Sequence, residues 1–429
     1  MTSTLVKAKG LNTPTIYTLP SGLTIIAEQM PVEAVNLNLW LSVGSAMESD
    51  EINGMAHFLE HMVFKGTERL EIGEFERLIE ERGAVTNAAT SQEYTHYYIT
   101  TAPKDFAELA PLQLDVVLNA SIPDQAFEKE RLVVLEEIRR SDDNPRRRTF
   151  YRAMETCFES LPYRRPVLGP TQVIEQLKPQ QMRDFHRQFY QPQGITAAVV
   201  GNLPVEQLID LVAAEVSEIY QGSLIDPDQQ ELSLIPELPF TEIVRQEYID
   251  PSLQQARLVM LWRVPGMMDL QETYALDILA VILGQGKVSR LFRDLREDRG
   301  LVSSVGVSNM TQGIQGAFYI SATLPTENLT EVETIIREHI RRVQMELIEE
   351  NDLNRIRKQV ANRFIFANER PSDRTNLYGY YYSQLQDLEP AFNYPSKIQS
   401  LQIKDLQEAA QSYLNPDAYG IVIMKPNSL

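Results

Sequence analysis

Residues 35–66 read VNLNLWLSVGSAMESDEINGMAHFLEHMVFKG. Residues 35–43 alternate as a strand does. MAHFLEHMVFKG then has the spacing of an apolar helix, with Asn53 placed to cap its start and Gly66 to stop it. The plan returns at residues 256–286, ARLVMLWRVPGMMDLQETYALDILAVILGQG. Each copy has a strand centred on a tryptophan (Trp40 or Trp262), a turn with glycine, an acidic patch and an apolar helix. Such self-similarity predicts duplication of a large unit. When Val43 is matched to Val264, His57 falls on Ile278, Glu60 on Val281 and His61 on Ile282. The second copy keeps the helix without the polar trio, so the fold does not need those three residues.

The surrounding pattern fits this duplication. Residues 72–83 read as a helix, and 85–102 as one long or bent strand or a hairpin. FAELAPLQLDVVLNA and DQAFEKERLVVLEEIRRS read as amphipathic helices, and 195–204 as a short buried strand closing the unit. A polar, proline-bearing stretch follows. The expected fold class is α+β, with two homologous α/β sandwich domains, each a mixed, largely antiparallel sheet covered by helices. The boundaries are 1–220, a linker over 221–244, and 245–429.

At 429 residues two domains are the natural expectation. The net charge of −19 argues against nucleic acid and anionic membranes as partners. It would suit a basic substrate, although solubility is the plainer reading. No apolar stretch is long enough to span a bilayer, and residues 1–22 lack a signal-like apolar core. Cys157 is the single cysteine, so a reducing compartment such as the cytoplasm is expected.

The chain has five histidines, and two of them lie four apart in one apolar helix. Positions i and i+4 share a helix face, so His57 and His61 can both address one zinc ion. Glu60 lies at the edge of that face, where a general base can reach a water on the metal without ligating. Catalytic zinc usually has three protein ligands, so one more is owed. Glu130 and Glu137 are two turns apart on one face of the helix EKERLVVLEEIRR, while Glu136 points about a hundred degrees away. Glu137 is taken as the ligand and Glu130 as a supporting carboxylate. His96, His186 and His339 stand outside any ligand spacing and read as structural or surface residues.

The H-x-x-E-H order reverses the commoner zinc-protease motif. Together with LPSGLTIIAEQMP, GAVTNAATSQEYTHYY, EKERLVVLEEI with Pro145 beyond it, PVLGP, FYQPQGITAAVVGNL and SRLFRDLREDRGLV, it resembles the pitrilysin family of inverted zinc peptidases. The resemblance covers nearly the whole chain and is nearest the half-length bacterial, processing-peptidase-like branch. It implies a zinc metalloendopeptidase with one zinc per chain, held by His57, His61 and Glu137, with Glu60 as base and Glu130 in support.

The family also implies that a peptide adds as a strand at Asn87, Ala88, Ala89 and Thr90. An arginine and a tyrosine of the non-zinc half would act at the scissile bond. Arg296 fills the arginine position, but Ser303 stands where the tyrosine belongs. The expected assembly is half of a clam-shell that excludes folded proteins. Its partner is a sister subunit supplying arginine and tyrosine, or a second copy in a homodimer. The alternative is a non-catalytic, structural or peptide-binding subunit of a larger complex.

Overall fold

The computed structural model describes residues 13–220 and 234–427. The readings over residues 1–12 and 221–233, including most of the expected linker, fall outside the described residues. The first sheet contains β1 (Thr15–Thr18), β2 (Thr24–Gln29), β3 (Val35–Leu41), β4 (Val85–Thr90), β5 (Thr95–Thr101) and β6 (Ile195–Gly201), in the order β1-β2-β6-β3-β5-β4. The second contains β7 (Val244–Ile249), β8 (Ala256–Pro265), β9 (Ser304–Met310), β10 (Gln315–Leu324) and β11 (Gly420–Lys425), in the order β7-β11-β8-β10-β9. Each is antiparallel except for one pair, β2 with β6 and β7 with β11. Strands β7 to β11 thus repeat the layout of β2 to β6, and residues 85–102 form a hairpin.

Helices from the first half of the sequence are α1 (Met55–Met62), α2 (Glu74–Glu81), α3 (Phe106–Leu118), α4 (Asp124–Asp142), α5 (Pro145–Cys157), α6 (Thr171–Gln176), α7 (Pro179–Phe189) and α8 (Val205–Ile219). Those that follow are α9 (Leu270–Gly284), α10 (Leu329–Met345), α11 (Glu350–Phe366), α12 (Pro371–Leu385), α13 (Glu389–Ser400) and α14 (Ile403–Tyr413). Among the described residues no helix is long and apolar enough to cross a membrane.

The match of Val43 to Val264 puts core residue on core residue. Val35, Leu37, Leu39, Leu41 and Val43 face one core, and Ala256, Leu258, Met260, Trp262 and Val264 face the other. The two tryptophans, however, are not equivalent. Trp262 faces its core, whereas Trp40 faces the opposite side of its sheet, where it stacks on His96 at 4.3 Å. Aligning them would slip the register by one residue, and a one-residue slip turns every side chain to the other face.

A sheet has two faces, and each unit's own helices cover only one. The second face is covered by exchange. Helix α5, from the first half of the sequence, packs Ala153, Met154 and Cys157 on Val259, Leu261 and Val422 of the second sheet. Helix α12, from the second half, packs Tyr378 beside Ile26, Ala198 and Val200 of the first. Gly379 lies where α12 crosses Trp40, and a β-carbon there would overlap the indole ring. The β4–β5 turn is also tied to the second unit. The Glu93 carboxylate accepts from Tyr163 Oη at 2.5 Å and from the Gly313 amide at 2.8 Å.

Candidate metal centre

Helix α1 begins at Gly54, whose φ of 99° lies in the left-handed region. A sequence reading places Asn53 as the cap, and the structure corrects this. Asn53 donates its amide to Glu48 Oε2 at 2.8 Å and to the Pro166 carbonyl at 3.1 Å. Glu48 itself satisfies the helix terminus, accepting from the Gly54 amide at 2.8 Å and the Ala56 amide at 2.7 Å. The acidic patch before the helix is therefore partly interior, with Glu48 only 3% exposed. Burial pushes its carboxyl up to about 7, against the pull of these hydrogen bonds.

Met55, Phe58, Leu59 and Met62 anchor α1 in the core. That fixes the opposite edge, which carries His57, Glu60 and His61. The two imidazoles meet edge-on with centroids 4.9 Å apart. Helix α4 packs across them and presents Glu137, whose Oε2 is 3.5 Å from Nε2 of both His57 and His61. One ligating atom from each of the three residues falls within a 4.8 Å span. Donors about 2.1 Å from a tetrahedral zinc stand about 3.4 Å apart. The residues therefore fit zinc, and His57, His61 and Glu137 are those that could hold it.

Supporting contacts orient the trio. Glu130 Oε1 lies 3.0 Å from His61 Nδ1, which leaves Nε2 as the coordinating nitrogen. Glu130 Oε2 is 2.9 Å from Lys65 Nζ, a partner the sequence reading missed although it lies four residues beyond His61. Burial works to lower His61, but the bonds to Glu130 and Glu137 outweigh it and raise it to about 9. Burial, then the neighbouring His61 charge, hold His57 well below the usual imidazole range. The bond to His61 holds both Glu130 and Glu137 below the usual carboxylate range.

Glu60 stands outside the trio, between α1 and the edge strand β4. Its Oε2 accepts from Thr90 Oγ1 at 2.5 Å. Burial raises its carboxyl, and the Thr90 bond opposes this. Thr90, expected against a substrate, also bonds the candidate base. Asn87 and Ala89 face outward, Ala88 packs against the core, and β4 pairs only with β5.

The second-unit residues lie elsewhere. Arg296 sits on the π-helical segment Phe292–Asp298, over the Phe292 ring at 4.8 Å. Its ion-pair partner among the described residues is Glu297 at 4.0 Å, and no ion pair or hydrogen bond there joins it to the trio. Ser303 is exposed, with its hydroxyl 2.8 Å from Gln255 Oε1. The other histidines have separate partners: Asn38 for His96, the Val117 carbonyl for His186 and Asp294 for His339. Cys157 is buried, which pushes its thiol up.

Comparison with known proteins places this architecture. Residues 23–171 match the family described as Insulinase (Peptidase family M16), and residues 176–360 match the Peptidase M16 inactive domain. An uncharacterized zinc protease of Mycobacterium leprae is 31% identical over 323 residues, 75% of this chain and 71% of the relative. One of Rickettsia bellii is 27% identical over 412 residues, 96% and 97% of the two chains. The crystal structure of a protease from Helicobacter pylori has the same fold, with a TM-score of 0.88 at 24% identity over 96% of this chain and 99% of that one.

Proposed function

The chain belongs to peptidase family M16, and from that membership we propose that it is a zinc endopeptidase acting on short, unfolded peptides. The observation that carries this is the arrangement at α1. Two imidazole nitrogens and the Glu137 oxygen converge, while a separate carboxylate, Glu60, is held off them by Thr90. A purely structural site has no use for that carboxylate.

Zinc held by His57, His61 and Glu137 would supply a Lewis acid that acidifies water and polarises a peptide carbonyl. The chain's own residues do the rest. Glu60 takes the proton from the attacking water at the oxygen not bonded to Thr90, and passes it to the departing amine. Burial raises its carboxyl, which makes it a stronger proton acceptor than an exposed glutamate. Glu130 holds His61 in its coordinating tautomer, and Lys65 balances the charge of Glu130. The free edge of β4 takes the peptide as an added strand along Asn87, Ala88, Ala89 and Thr90.

Zinc analysis and a quenched peptide library test this reading. The chain should carry one zinc, and Glu60→Gln should abolish cleavage while zinc remains. Cleavage that survives in Glu60→Gln sinks the assignment.

Ser303 favours a more specific assembly. The chain is the zinc-bearing subunit of a clam-shell, and a homologous sister chain brings the tyrosine, with Arg296 or its counterpart binding the substrate carbonyl. Activity that is low alone and rises strongly in Ser303→Tyr supports this assembly. Full activity of the unmodified chain makes the homodimer the working enzyme. A non-catalytic core subunit would have no need of the Glu60–Thr90 contact, so zinc-dependent cleavage of any peptide removes that alternative.

A further inference from the structure

A cavity of about 570 Å³ lies between the N-terminal half of α5 and strands β8, β9 and β10 of the second sheet. Arg146 and Arg257 both line it. Arg257 is in register with Thr323, and Thr323 with Ser304, so these three side chains share a face across the strands. Among the described residues neither arginine has a carboxylate partner. Arg257 Nε is buried and unbonded. Asp250, whose field reaches Arg257, is already taken by Arg148 Nε at 3.0 Å and Ser252 Oγ at 2.6 Å.

This arrangement opposes local electrostatics. Arg146, Arg147 and Arg148 occupy the first turns of α5, at the positive end of the helix dipole, and that first turn has no acidic residue. Burial, then the charge of Arg146, make Arg257 harder to keep protonated. The chain has 59 acidic residues against 40 basic ones, so two uncompensated arginines facing one cavity run against its composition. A guanidinium pair of this kind matches an incoming carboxylate, which would relieve the repulsion and satisfy the buried donor. One wall of the cavity, helix α5, also leads towards the metal centre. Helix α5 follows α4 directly, and the charge of the neighbouring Arg147 reaches Glu137. Strand β9, the edge of its sheet, forms one wall.

We propose that Arg146 and Arg257 bind a carboxylate of the peptide substrate, so that the enzyme prefers acidic peptides despite its own negative charge. This rests on the peptidase reading above, and the test separates the two. Matched quenched peptides carry glutamate or glutamine at each position in turn, with a free or an amidated C-terminus. Their dissociation constants are measured on the zinc-loaded Glu60→Gln chain, and their kcat/KM on the unmodified chain.

One acidic peptide should bind about tenfold tighter than its neutral, amidated match. Arg257→Gln and Arg146→Gln should erase that ratio and leave the neutral peptide unchanged. Arg146 is exposed, so its variant stays informative if Arg257→Gln fails to fold. The free and amidated arms tell a side-chain carboxylate from a terminal one. Neutral and acidic peptides cleaved alike, or a preference that survives both substitutions, overturn this inference alone. If no peptide is bound, and none is cleaved by either the unmodified chain or Ser303→Tyr, the peptidase reading falls and takes this one with it.

Discussion

Glu48 accepts the amide of Ala56 at 2.7 Å, one residue before the first candidate metal ligand, His57. A carboxylate from the preceding loop thus does the work of a cap and sets where α1 begins. Replacing Glu48 with alanine strands the amides of Gly54 and Ala56, at a cost of about 2–3 kcal/mol. Its folded carboxyl lies at about 7, above the unfolded value of 4.5. The glutamate's contribution is therefore fully present below pH 4.5 and is lost as pH rises towards 7. Denaturant titrations of both proteins should show a difference that shrinks across that window, and a constant difference would contradict it.

Zinc binding should be linked to His61. In the metal-free site its imidazole stays protonated to about pH 9, so binding near neutrality must displace that proton. Affinity should rise about tenfold per pH unit between 7 and 8.5. His57, already neutral there, adds nothing to the slope. Glu130→Ala removes the main group raising His61, so the slope should flatten while overall affinity falls about 10–100-fold. Competition titrations with a zinc chelator read both quantities.

Thr90→Val keeps the side-chain shape and removes the hydroxyl that donates to Glu60. Zinc content should not change, while kcat should fall about tenfold. The lost bond opposes burial, so the acid limb of the kcat profile should move to higher pH. A profile that stays in place would mean that Thr90 does not hold the base.

Gly379→Ala places a methyl group against the Trp40 ring. Alanine gains about 1 kcal/mol in helix propensity, but overpacking costs about 1–3 kcal/mol. A lower melting temperature is expected, and Trp40→Phe in the same chain should recover part of it. A rise in stability would mean that α12 does not seat closely on the first sheet.

Much of the site was legible in the sequence because its logic is local. Four residues make one helical turn, so His57 and His61 had to share a face if the segment was helical. Two turns likewise put Glu130 and Glu137 together. The missing trio in the second copy marked these residues as additions to the fold, and the Val43–Val264 match holds along the whole strand.

The rest depended on what lies across from each element. Periodicity tells which face of a strand is apolar, but not which helix covers the other face. That is why two tryptophans one register apart looked alike, and why the exchange of α5 and α12 left no local mark. Glu48 read only as part of an acidic patch, and the fold buries it under a helix end. Thr90 read as a substrate contact, and its bond to Glu60 became visible once β4 was set beside α1. Spacing along the chain was enough to mark the repeated units and the residues that could hold a metal. Which carboxylate caps the helix, which bonds a histidine and which stands outside the trio is set by the folded arrangement, because burial and hydrogen-bond partners come from segments far apart in the chain.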